Sequence, residues 1–257
     1  LILDAKNVLW RWRASNDAGK GVLTLVKVNG ASKWGDDITA IGTYLRNVDR
    51  GLYNLYVIDP SEQQIRAYPP ASDGSGFPAK ASGWLATARA VDQMRSMYID
   101  GDIFIVEGGL LERFTSGRSD GWVVGDPKDQ LLRPTTTLEL VTGAGERRTG
   151  TVYAFDRRNA RILAFQKDGG GYIAQYRLAN GATDWEDLRG MYVIPGVEDV
   201  PATLVWLAEG AIHQASLLAV PDDGSAPSAA PSAAPSVDPS ASTEASAAPS
   251  DDASPAP

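Results

Sequence analysis

The sequence predicts an all-β chain assembled from repeated antiparallel units, on three observations. A β-type run, an acidic residue, a polar turn and a second run recur five times along the chain. Further segments rich in β-branched and aromatic residues stand before and after these pairs. Apolar residues at helical spacing, over a length that a buried helix would need, are missing.

The recurring pairs are LILDAKNVLWRW, LYVIDPSEQQIRAY, DIFIVEGGLLERF, TVYAFDRRNARILAF and TLVWLAEGAIHQASL. Their acidic residues, Asp4, Asp59, Glu107, Asp156 and Glu209, are 55, 48, 49 and 53 positions apart. Seven to nine residues further on stands an aromatic, Trp12, Tyr68, Phe114 or Phe165, and in the fifth copy Leu217. Two strands separated by turn formers such as Pro60-Ser61, Gly108-Gly109 and Arg158-Asn159 make an antiparallel hairpin. An acidic side chain at the first turn position accepts hydrogen bonds from the turn's own N–H groups, so its recurrence requires no ligand.

Leading strands are predicted at ITAIGTYL (38–45), MRSMYID (94–100), LLRPTTTLELV (131–141) and LRGMYVI from Leu188. Trailing strands are predicted at GVLTLVKV (21–28), GWLATARA (83–90), GWVVGD (121–126) and YIAQYRLA (172–179). About five visible four-stranded repeats are the arithmetic of a β-propeller; a β-sandwich would not repeat one turn motif at near-constant spacing. Residues 1–28 hold a hairpin and a trailing strand without a leading one, and the fifth unit ends in its hairpin, so the circle is expected to be incomplete, with further blades upstream.

The propeller is assigned to residues 1–220. Residues 221–257, rich in Pro, Ala and Ser, contain no aromatic and no Lys or Arg, and read as a disordered tail. Six of the formal net charge of −8 belong to that tail, which leaves the first 220 residues at −2. Nothing there suggests a duplex nucleic-acid footprint. The absence of cysteine excludes disulfides, thiolate metal sites and cysteine nucleophiles, and the single histidine, His213, excludes a multi-histidine metal site. The start, LILDAKN, shows no secretory signal or membrane span, so any membrane anchor is expected upstream. Arg147, Arg148, Arg157, Arg158 and Arg161 form the strongest basic patch and read as a solvated hairpin edge.

The candidate site lies where the leading strands begin. Asp37, Asp92, Asp129 and Asp187 each stand just ahead of such a strand, and in a ring they would give the channel mouth a negative potential for a cation or a basic segment. The competing reading is that each aspartate closes a loop on local backbone. Arg95, Arg133 and Arg189 follow closely, to bind an anion or to neutralise the ring within its own blade; Trp34 and Trp185 flank it as stacking surfaces. Trp10, Trp12, Trp84, Trp122 and Trp206 are expected to pack between blades.

MYIDGDIFIVEGGLLERF at 97–114 resembles an NHL-type propeller repeat, in which the leading strand ends in Asp-Gly before the hairpin, and GTVYAFDRRNARILAF is similar through its second half. The resemblance implies protein, carbohydrate or nucleic-acid binding more often than catalysis; for this chain the expected partner is a protein, peptide or small-molecule ligand at the propeller face, with no nucleic acid and no cofactor. The whole looks like the extracytoplasmic sensor portion of bacterial signalling proteins, including membrane-anchored serine/threonine phosphatases. The alternative is a metal-dependent, lactonase-like propeller hydrolase using Ca²⁺ on carboxylates at the channel mouth.

Overall fold

The middle strand of each complete predicted unit is apolar on both faces, which only a sheet packed between two other sheets can use. The computed structural model describes residues 1–14, 21–29, 37–125, 136–178, 185 and 188–220. Strands account for almost all of the regular structure there, with a single 3₁₀ turn at Pro60–Glu62. No helix among the described residues is long and apolar enough to cross a membrane.

The first sheet contains β1 (Ile2–Leu3), β2 (Leu9–Ala14) and β3 (Gly21–Leu25). The second contains β4 (Ala40–Asn47), β5 (Leu52–Asp59), β6 (Gln64–Tyr68) and β7 (Ser82–Gly83). The third contains β8 (Met94–Ile99), β9 (Ile103–Glu107), β10 (Leu110–Thr115) and β11 (Arg118–Ser119). The fourth runs from β12 (Leu138–Ala144) through β13 (Thr151–Asp156) and β14 (Arg161–Gln166) to β15 (Tyr172–Leu178). A last group contains β16 (Gly190–Ile194), β17 (Thr203–Ala208) and β18 (Ala211–Val220). The first half of β18 pairs with β17 and its end pairs with β15, so the last two groups are joined edge to edge. Within each sheet, neighbouring strands are antiparallel.

The leading strands pack in series, β4 beside β8, β8 beside β12 and β12 beside β16, as the inner strands of a propeller do. Alternation along the middle strands then divides their side chains between two cores. In β9, Ile103 and Ile105 face the second sheet while Phe104 and Val106 face the fourth. In β5, Leu55 and Val57 face the first sheet while Tyr56 and Ile58 face the third. In β13, Val152 and Ala154 go one way and Tyr153 and Phe155 the other. Among the described residues four apolar clusters result, one for each junction between consecutive sheets.

The turns follow their acidic residues. Asp4 accepts from the N–H groups of Lys6 (2.8 Å) and Val8 (2.9 Å) and from Trp10 Nε1 (3.0 Å). Asp59 accepts from the Glu62 N–H (3.3 Å) and the Ser61 hydroxyl (2.6 Å). Asp156, fully buried, accepts from Asn159 Nδ2 (2.7 Å) and Arg161 Nε (3.0 Å). The two glutamates mark a different turn. Gly108-Gly109 and Glu209-Gly210 are two-residue connections with positive φ at both positions (58° and 84°; 50° and 76°), which the backbone closes without a side-chain acceptor. Glu107 is thereby released to pair with Arg89 at 2.5 Å.

Two sequence expectations are corrected here. Of GWLATARA only Gly83 is in a strand, the two-residue β7, and GWVVGD contributes none in the described residues, its sheet ending instead in β11 just ahead of it; Trp84, Leu85 and Trp122 are spent on packing between sheets. The basic cluster is also no uniformly solvated edge. Arg161 is buried on Asp156, Gln175 and Thr136, and Arg157 holds Glu139 and the carbonyls of Trp185 and Leu188. Arg148 and Arg158 alone are exposed without such anchoring.

Polar contacts latch the third sheet to the fourth through the Asp100-Gly101-Asp102 turn. Lys167, fully buried, places Nζ 2.5 Å from Asp100 Oδ2 and donates to the Tyr98 hydroxyl (3.0 Å) and the Gly145 carbonyl (3.3 Å). Arg147 grips Asp102 with Nε (3.1 Å) and Nη2 (2.6 Å). Burial pushes the Asp102 carboxyl up, but the bonds from Arg147 and Thr115 outweigh it and hold it below its ordinary value. Burial, with Asp100 close by, raises the Tyr98 phenol and keeps it a neutral partner for Lys167.

Asp100→Ala should therefore strand a buried ammonium and cost about 3–5 kcal/mol in urea unfolding, whereas Asp100→Ala/Lys167→Met should recover most of that loss. A single-mutant cost below about 1 kcal/mol would overturn the latch. Because Asp102 is depressed in the folded state, its contribution is complete above the unfolded value and is lost as pH falls through the folded one. Between about pH 5 and pH 2 the parent should lose more stability than Arg147→Ala, read from unfolding midpoints at each pH.

Candidate functional site

The acidic residues expected at the strand starts are only partly within view. Asp37 is exposed ahead of β4. Asp92 is exposed ahead of β8, and its carboxyl is held below the usual range, chiefly by the hydrogen bond from Gln93 Nε2 at 2.9 Å. Arg95 donates to the Asp92 carbonyl, so it serves the same loop from within its own sheet. Arg189 is exposed, with its backbone N–H on the Leu207 carbonyl at 2.9 Å. Asp129, Asp187, Arg133 and Trp34 lie outside the described residues. Among the described residues, no group of three or more His, Cys, Asp or Glu side chains is arranged to hold a metal ion.

The tryptophans divide differently from the sequence reading. Trp185 is buried and stacks on Phe155 at 4.8 Å and 22°, so its ring is committed to the core. Trp122 packs edge-on against Phe104, and Trp84 against Tyr56, between sheets as expected. Trp12 is half exposed (51%), lying over Gly21 of the neighbouring strand, and fills no junction.

A cleft of about 440 Å³ opens at the other end of β4, between the first and second sheets. Its charged lining is Arg11 and Arg13 from β2, Arg50 from the β4–β5 turn, and Asp73 from the β6–β7 connection. Residues two apart on a strand share a face, so Arg11 and Arg13 point the same way as Leu9, which is buried against the second sheet. Leu52, Tyr53, Pro70 and Phe77, with Leu1 and Trp12, supply the apolar part of the wall.

Two of the guanidinium groups are held by one loop tip. Arg11 Nη1 donates to the Gly74 carbonyl (2.7 Å) and Nε to the Tyr53 hydroxyl (3.2 Å), with its guanidinium 5.8 Å from the Tyr53 ring centre. Arg50 Nη2 donates to the Ser72 carbonyl at 2.9 Å. The tip is itself braced: Gly74 N–H reaches the Ala71 carbonyl, Ala71 N–H reaches the Gly76 carbonyl, and Ser75 N–H is taken by Asp73. Gly74 has φ of 70°, a conformation that a side chain disfavours. The Ser75 hydroxyl, and after it the Ser75 N–H, lower the Asp73 carboxyl and keep it ionised.

Each guanidinium has five N–H donors, and these bonds consume two of Arg11 and one of Arg50. No carboxylate forms an ion pair with Arg11, Arg13 or Arg50 among the described residues. Sequence reading passed over these residues, although the alternation Trp10-Arg11-Trp12-Arg13 already puts two cations on one face of a strand. The arrangement can fix an anion with oriented donors.

No protein-family model matches the sequence, and no curated protein matches it. Among solved structures the chain is similar to BBS1N, crystallised in complex with ARL6DN and soaked with mercury, at 12% identity over 79% of this chain and 59% of that one, with a TM-score of 0.45. It is also similar to Mala s 1, the major allergen of Malassezia sympodialis, at 8% identity over 84% and 91% of the two chains and a TM-score of 0.39. A third is a candidate 6-phosphogluconolactonase from Bacteroides uniformis, at 14% identity over 83% and 65% and a TM-score of 0.38. The chain thus spans about six tenths of the first of these proteins, and likeness at this level assigns it no family and no activity.

Proposed function

We propose that this chain is a cofactor-free binding module, and that its ligand, a small molecule or a short peptide, seats in the cleft between the first and second sheets. The observation that carries this reading is the pair of guanidinium groups oriented by the Ser72 and Gly74 carbonyls, with most of their donors left over. Donors fixed before binding spare the ligand the cost of ordering them. The proposal extends to an extracytoplasmic sensor role within a larger bacterial signalling protein, such as a membrane-anchored serine/threonine phosphatase. That extension is supported by the NHL-like character of residues 97–114 and by the Pro/Ala/Ser-rich segment after residue 220.

A thermal-shift panel of anionic, neutral and cationic metabolites tests it on the full chain. Arg13 and Arg50 are exposed, so Arg13→Ala/Arg50→Ala should leave the fold intact. An anionic compound at about a hundred times its dissociation constant should stabilise the parent by about 2.7 kcal/mol, a rise of roughly 5–10 °C, and lose that effect in the variant. Mass spectrometry of the same mixtures should return the compound unchanged. Hits that are indifferent to the two arginines would overturn the site, and conversion of the compound would overturn the assignment as a binder.

A further inference from the structure

Arg11 and Arg113 hold the same place in their hairpins, one residue before the aromatics Trp12 and Phe114. Each reaches the connection beyond the next sheet's hairpin by donating to a backbone carbonyl, Arg11 to Gly74 and Arg113 to Lys167, both through Nη1. They differ in charge balance. Arg113 is neutralised by Asp120, which accepts from Nε at 2.8 Å and lies 2.7 Å from Nη2. Beside it Arg147 is neutralised by Asp102. Arg11 has no such partner, and the two other arginines of its cleft have none either among the described residues. Among the described side chains of the lining, three guanidinium charges face one carboxylate, Asp73, an excess of two positive charges.

We propose that the ligand is a small phosphomonoester carrying two negative charges. This rests on the reading of the cleft as the binding site and names its chemistry. A dianion balances the excess that Asp73 leaves, and the planar donor forks of Arg11 and Arg50 match the paired oxygens of a phosphate. A bare oxyanion would fill a small part of about 440 Å³, a volume in the range of organic ligands. Leu52, Tyr53 and Pro70, half-buried on the same wall, accept the organic portion of the ester. Asp73 then acts as a charge filter. It penalises every anion equally per unit charge, but only a dianion gains enough from the arginines to be held firmly.

Phenyl phosphate and phenyl sulfate share size and ring and differ by one charge at neutral pH, so their comparison by titration calorimetry on the full chain is direct. Phenyl phosphate should bind at least about tenfold tighter than phenyl sulfate, and inorganic phosphate should be weaker than its phenyl ester. Asp73→Asn keeps the carbonyl that accepts the Ser75 N–H, so the turn survives, and it should tighten both esters several-fold. Arg50→Ala and Arg13→Ala should each weaken phenyl phosphate by about tenfold with little change in melting temperature. Equal affinity for the two esters, or a loss of affinity in Asp73→Asn, would overturn the dianion assignment while leaving the cleft as a binding site. If phenyl phosphate does not bind and the panel above finds a monoanionic or neutral ligand sensitive to Arg50, the phosphate is wrong and the site is right. If no ligand is sensitive to either arginine, both fall.

Discussion

Everything in this molecule depends on middle strands that are buried on both faces. β5, β9 and β13 send alternate side chains into two different cores, so each complete sheet is stable only between neighbours. Burying one large aliphatic or aromatic side chain contributes about 1.5–3 kcal/mol, and each junction buries several. The ion pairs at the same junctions are smaller net contributors, because desolvation consumes much of their Coulomb energy. Apolar burial therefore holds the sheets together, and the polar latches fix how one sheet is set against the next. Arg147 on Asp102 and Lys167 on Asp100 reward one relative placement of the third and fourth sheets and leave buried charge unpaired in any other.

What the sequence made legible is what is decided locally. The Asp turns could be read because a side chain and the N–H groups it accepts lie within a few residues of one another, as at Asp4, Asp59 and Asp156. The middle strands could be read because burial on both faces leaves a continuous apolar run that no polar turn imitates. Two of the trailing strands, β3 and β15, fall where the sequence put them, whereas those of the second and third sheets were misplaced for the opposite reason. They lie at the rim, where one face of a short strand is solvated, and the apolar residues near them, Trp84, Leu85 and Trp122, belong to junction packing rather than to strand pairing. An apolar tryptophan in a β-type segment carries no mark that tells these uses apart.

The site was illegible because it is assembled across the fold. Arg11 meets Gly74 sixty-three residues away, and Arg50 meets Ser72 at a separation of twenty-two. No spacing rule connects them, whereas a recurring aspartate ahead of each leading strand is conspicuous in the sequence; of these, the Asp92 carboxylate takes a hydrogen bond from its neighbour Gln93. Recurrence along a repeat protein marks what every blade needs. Function is better sought where one blade departs from the others.

That criterion selects the first junction. At the junction of the third and fourth sheets the arginines that bridge the seam are met by carboxylates, Arg113 by Asp120 and Arg147 by Asp102, and the seam is electrically closed. At the junction of the first and second sheets the bridging Arg11 is met by a hydroxyl and a carbonyl, and Arg50 beside it by a carbonyl of its own sheet, which orient the guanidinium groups without cancelling their charge. Uncancelled charge costs little while water reaches it, so the fold tolerates the cleft open. An oxyanion that displaces that water meets donors already aimed, in surroundings of lower dielectric constant, and gains more from them than it would from mobile side chains on a flat surface. The same inter-sheet geometry thus makes a structural latch where the chain supplies the counter-charge, and a receptor where it leaves the counter-charge to a ligand.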